Sequence, residues 1–75
     1  MTRTTVIDVE GMTCQHCVKA VVAEVSRLAG VRDVEVALNS AGLTEVTVTS
    51  DDALDAAALR EAIDEAGYDV AAIRS

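Results

Sequence analysis

Val31-Arg32-Asp33-Val34-Glu35-Val36-Ala37-Leu38-Asn39-Ser40-Ala41-Gly42-Leu43-Thr44-Glu45-Val46-Thr47-Val48-Thr49 is the stretch that decides the fold. Val31, Val34, Val36 and Leu38 bracket Asp33 and Glu35, and from Leu43 onward Val46 and Val48 are set against Glu45, Thr47 and Thr49. Alternation of this kind is the mark of a strand with one face buried. Asn39-Ser40-Ala41-Gly42 supplies turn chemistry between the two runs, so the stretch predicts a hairpin. On its N-terminal side, Val18, Val21, Val22, Val25, Leu28 and Ala29 recur at helical spacing, and Gly30 stops the helix. On its C-terminal side, Ser50-Asp51-Asp52 resembles a helix cap, and Leu54, Ala58, Leu59, Ala62, Ile63 and Ala66 form the apolar stripe of a second helix ended by Gly67. Residues 4–9 begin the chain as a short β-branched strand, with Ile7 and Val9 inward and Asp8 outward, and Tyr68 to Ile73 close it as another. The order is βαββαβ. An α+β, ferredoxin-like two-layer sandwich satisfies every stripe: a four-stranded antiparallel sheet with two helices on one face. The other face meets water and carries Asp8, Asp33, Glu35, Glu45 and Thr47.

The length bounds what such a scaffold can do. Seventy-five residues make one domain, 1–75, without repeats, linkers or low-complexity segments. A two-domain enzyme is excluded, as is chemistry needing a large enclosed pocket. The apolar fraction of 51% is a folded profile, and it is almost wholly aliphatic, with one Tyr and no Phe, Trp or Pro. Acids outnumber bases 13 to 6 and the net charge is -7. Nucleic-acid binding would need a basic footprint and usually stacking aromatics, and adsorption to anionic membranes would need the same positive sign. No apolar segment follows Met1-Thr2-Arg3-Thr4-Thr5, and no run is long enough to span a bilayer. The expected compartment is the cytoplasm. Met1 and the lack of a linker favour a complete small protein.

The chemistry lies in Gly11-Met12-Thr13-Cys14-Gln15-His16-Cys17. Two Cys separated by two residues, on a loop entering a helix, aim both sulfurs at one point. Unpaired N–H groups and the positive end of the helix dipole favour the thiolate, which is the form that binds metals and attacks electrophiles. Thiolates are soft ligands suited to Cu(I), Zn(II) and similar ions. A closed zinc site takes four ligands, whereas the chain holds two Cys and one His. Two thiolates complete a low-coordinate site for a soft monovalent ion, and a third thiolate from another protein can still attack it. That chemistry describes a carrier. The rival for this spacing is a small dithiol oxidoreductase. Against it stand the short chain, the absence of Pro near the loop, and the lack of Trp or Phe for an apolar docking surface. Ser/His/Asp catalysis has no support, so no enzyme is expected.

The seven-residue motif resembles the metal loop of heavy-metal-associated domains, Gly-Met-Thr-Cys-x-x-Cys. With Gln15-His16, Val18-Lys19-Ala20-Val21 and Gly67-Tyr68-Asp69-Val70, the chain is similar over nearly its whole length to bacterial copper chaperones of the CopZ type within that family. The resemblance implies a ferredoxin-like fold, Cu(I) held by Cys14 and Cys17, and delivery to a copper-transporting P-type ATPase. It further implies that a copper-sensing repressor can be a second acceptor, and that a metal-free monomer can pair around shared copper ions. The same resemblance admits a metal-binding domain excised from a transporter or from a mercury-handling protein.

The neighbouring residues carry competing readings. Met12 reads as a hydrophobic plug fastening the loop to the core, in preference to a thioether ligand. His16, between two inward ligands, reads as solvent-facing and modulating the site or a dimer contact, in preference to a third ligand. Tyr68 is either a core aromatic closing that end or a shield over the sulfurs. Lys19 reads as a solvated helix charge, and Asp55, Glu61, Asp64 and Glu65 as a solvated helix face.

Overall fold

A computed structural model describes residues 2–12, 15–39 and 41–74. The elements are β1 (Arg3–Glu10), α1 (Gln15–Ser26), β2 (Val31–Ala37), β3 (Thr44–Ser50), α2 (Ala56–Glu65) and β4 (Asp69–Arg74). The strands form one antiparallel sheet in the order β2-β3-β1-β4. This is the ferredoxin-like sandwich that the alternating runs require.

Register explains which residues are inside. Ile7 faces Val46 and Ile73 on its two neighbouring strands, Val9 faces Thr44 and Val70, and Val34 and Val36 face Val48 and Val46. These positions share the helix side of the sheet. Cys17, Val21 and Val25 of α1 and Leu59, Ala62 and Ile63 of α2 close over them. The resulting core is aliphatic apart from sulfur, and Tyr68 packs at its margin. Burying each Val, Leu or Ile side chain contributes roughly 1.5–3 kcal/mol, and Val-rich helices of modest intrinsic propensity depend on that gain.

The opposite sheet face is polar, with Asp33, Glu35 and Glu45 exposed and Thr47 and Asp8 half-buried. Asp8 and Glu45 stand directly opposite one another on adjacent strands, a repulsive pairing. Arg74, on the far side of β1, relieves it by donating to Asp8 Oδ1 at 2.8 Å and lying 3.4 Å from Glu45 Oε2. The hydrogen bond to Asp8 and its charge hold the Arg74 guanidinium above its ordinary pKa, and Glu45 adds in the same direction.

The second helix starts later than its sequence suggests. Asp55, not the Ser50-Asp51-Asp52 cluster, is the N-cap: its Oδ1 accepts from the Ala57 N–H at 2.9 Å. The cluster is committed elsewhere. Ser50 is buried as the last residue of β3 and its hydroxyl donates to the Asp52 carbonyl, while Asp51 pairs with Arg32 at the start of β2. An Asp55→Ala variant is accordingly expected to lose about 1 kcal/mol of stability, the usual worth of an N-cap. Asp52→Ala should stay near wild type. Urea unfolding of the two variants checks the assignment.

Candidate metal centre

The β1–α1 connection is held from both sides. Val9 ends the inward row of β1, Met12 is 1% exposed, and Cys17 is 7% exposed within the first turn of α1. Both Met12 and Cys17 belong to the same buried cluster as Ile7, Val21 and Ile63. Cys17 thus shares the core-facing stripe of α1 with Val21 and Val25, four and eight residues on. Thr13 and Cys14 lie outside the described residues, so the geometry of the sulfur pair rests on its one described member. That member sits where a helix N-terminus turns its unpaired N–H groups and positive dipole end toward anionic charge. Gln15, His16 and Lys19 of the same helix are exposed.

Tyr68 reaches this loop because α2 ends in a defined way. The Tyr68 N–H donates to the Ile63 carbonyl at 3.1 Å and the Gly67 N–H to the Asp64 carbonyl at 2.9 Å. Gly67 adopts φ +93°, completing a Schellman motif that reverses the chain. The half-buried Tyr68 side chain then packs on the core margin. It also lies against Gly11, where an added Cβ would stand 3.6 Å from Tyr68 Cδ1. Gly11 has φ +89°, so a side chain there would be strained as well as crowded. The only aromatic ring in the sequence that is not a histidine is therefore placed against the β1–α1 connection at Gly11.

A third loop joins this end. Thr44 faces Val9 across the β3–β1 ladder, so the β2–β3 turn lies at the end of the sheet from which β1 runs into Gly11 and Met12. Asn39 braces that turn: its N–H donates to Thr44 Oγ1 at 3.1 Å and its Oδ1 accepts from the Ala41 N–H at 3.1 Å. Leu43, read from the sequence only as the start of a strand, is 43% exposed there. The available signal was its parity, since Leu43 shares the outward register of Glu45, Thr47 and Thr49 and not the inward register of Val46 and Val48.

Among the described residues no three or more His, Cys, Asp and Glu cluster to hold a metal ion, and no helix is long and apolar enough to cross a membrane. Residues 6–69 match the model of the heavy-metal-associated domain. The chain belongs to that family. It is 46% identical over 65 residues to the copper chaperone CopZ of Bacillus subtilis, covering 87% of this chain and 91% of that one. It is 38% identical over 74 residues to the mouse copper-transporting ATPase 1, spanning 95% of this chain but 5% of the ATPase. The yeast copper transporter domain Ccc2a, solved in apo and Cu(I)-loaded states, superposes with a TM-score of 0.75 at 29% identity, over 91% of this chain and 90% of that domain.

The burial of Met12 sets an expectation independent of any metal. Met12→Ala should destabilise the metal-free protein by about 2–5 kcal/mol, as other large-to-small core changes do. Met12→Leu, which conserves volume, should cost less than about 1.5 kcal/mol. Chemical denaturation of both variants measures the difference.

Proposed function

We propose that this chain is a cytoplasmic, non-enzymatic Cu(I) carrier that serves a copper-transporting P-type ATPase. Cys14 and Cys17 hold the ion, Met12 fastens their loop, and Tyr68 and His16 shape access to it. The observation that carries this reading is the position of Cys17: a thiol in the first turn of α1, in the same buried cluster as Met12 and following Cys14 at the metal-loop spacing. Family membership and the likeness to named copper chaperones support copper as the cargo.

Transfer on this reading is ligand exchange without a change of oxidation state. A thiolate of the acceptor bonds to the copper ion, which becomes three-coordinate. One sulfur of this chain then leaves, and a second exchange completes the handover. Protons lost by entering thiols are regained by leaving sulfurs. The direction follows the relative affinity of the acceptor. A few thiolate ligands satisfy a soft ion at each stage, so no step requires a free aqueous ion.

A second reading has its own support. The match within the mouse ATPase is consistent with a metal-binding domain belonging to a larger transporter. The site chemistry is the same in both cases.

Anaerobic titration with Cu(I) against a competing chelator tests the assignment. Tight binding is expected, greatly weakened by either Cys14→Ser or Cys17→Ser, whereas His16→Ala should retain the ion. Undiminished affinity in the double Cys variant would refute the site, and robust insulin reduction by the metal-free protein would favour a dithiol oxidoreductase.

A further inference from the structure

Of the described strands, β2 and β4 form the two edges of the sheet. An edge strand leaves alternate N–H and C=O groups without a strand to pair with, so another chain can add to it. The two edges differ in what a second copy of this chain would meet. Antiparallel self-pairing of β2 about its central Val34 sets Asp33 against Glu35 twice, a repulsive arrangement.

β4 differs because of its bulge. Asp69, Val70, Ala72, Ile73 and Arg74 face Glu10, Val9, Asp8, Ile7 and Val6 on β1, and Ala71 is the extra residue at the register shift. In an unbroken strand, residues an odd number of positions apart lie on opposite faces. The extra residue instead puts Asp69 and Arg74 together on the open face, with Asp8 and Glu10. Val70 and Ile73 share the helix side with Val9 and Ile7. A twofold axis through Ala72, perpendicular to the sheet, therefore makes β4 complementary to itself. Asp69 of each copy meets Arg74 of the other on the open face, and Val70 meets Ile73 on the helix side.

Burial and charge agree with this pairing. Val70 and Ile73 are half-buried at the core margin, while Asp69, Ala71 and Arg74 are exposed. Asp69 stands directly opposite Glu10, a second like-charge pair on the open face. Arg74 relieves the pair at Asp8 and Glu45, but among the described residues no cation pairs with Glu10 or Asp69. Arg74 makes both its ion pairs through Nη2, and the rest of its guanidinium fork has donors for a further carboxylate.

We propose that β4 is a homodimer interface: two copies join edge to edge, antiparallel about Ala72, into one continuous sheet with all helices on one side. The occupant is a second copy because one six-residue strand supplies both members of each charge pair. Glu10, which leads into the β1–α1 connection, lies beside Asp69, so the two connections stand at opposite ends of the joined sheet. No metal takes part, and this edge is separate from the loop through which the family resemblance implies copper-bridged pairing. A net charge of -7 on each copy opposes association at long range, so the dimer is weak and reversible.

Sedimentation equilibrium of the full chain, reduced and metal-free in the presence of a chelator, tests this up to about 1 mM protein, the affinity range of small interfaces. A monomer–dimer equilibrium is expected. Asp69→Arg puts a cation opposite Glu10 within its own sheet, which favours the fold. It should weaken the dimer at least about fivefold, since two attractive pairs become repulsive. Arg74→Glu should do the same. An equimolar mixture of the two variants should associate as well as wild type, because each carries the charge that the other lacks. Arg74→Glu also removes the pairs to Asp8 and Glu45; if it does not fold, Ala72→Lys, which sets two cations on the axis, should weaken the dimer in its place. Absence of a dimer at the highest concentration overturns the proposal, as does wild-type association by Asp69→Arg or by Ala72→Lys. A mixture of two folded variants that does not recover association overturns it too. So does a dimer whose concentration-dependent amide shifts centre elsewhere than residues 69–74.

Discussion

Met12 and Cys17 lie inside the core on either side of the β1–α1 connection, which on the proposed carrier reading must also offer sulfur to an ion. Everything at that end is built to satisfy both demands. β1 delivers the chain to the loop from the centre of the sheet, between β3 and β4, where pairing on both sides leaves it little freedom. Met12 then anchors the exit from the strand and Cys17 the entry to the helix. On that reading Cys17 is a ligand whose Cα belongs to the buried stripe of α1, so its sulfur cannot swing far.

The charges are arranged around the same economy of space. A domain this small has a thin core and a large surface, and its acids occupy the open sheet face and the outer side of α2. Crowding acids on a sheet has a local penalty, visible in the facing Asp8 and Glu45, and Arg74 offsets it from the neighbouring strand. Arg32 and Asp51 likewise join the start of β2 to the residue following β3. These cations are committed to holding strands together at the sheet.

Much of this was legible in the sequence, for reasons that differ by element. Alternation over 31–49 fixed two strands and their inward faces because a one-residue slip would have exposed every Val. The α2 boundary was misread because Ser50, Asp52 and Asp55 are all competent caps, and only tertiary pairing decides among them. Cys17 was read as a ligand from its spacing, but its place on the buried stripe of α1 was not drawn out, although the i, i+4 relation to Val21 and Val25 was there to be seen. The bridging by Arg74 could not be read at all, since it depends on the registers of two ladders, one of them shifted between Asp8 and Val9. The sulfur pair was legible as a pattern, while Cys14 itself lies outside the described residues.

The aliphatic character of the core has a practical corollary. With one tyrosine, no tryptophan and no phenylalanine, the interior contains no ring to perturb the magnetic environment of its Val, Leu and Ile methyl groups except where Tyr68 borders it. Methyl resonances from the far half of the sandwich will crowd near their random-coil positions in a fully native sample. Poor dispersion in that region of a proton spectrum is thus a property of the amino-acid composition, and carries no information about whether the side chains are well packed.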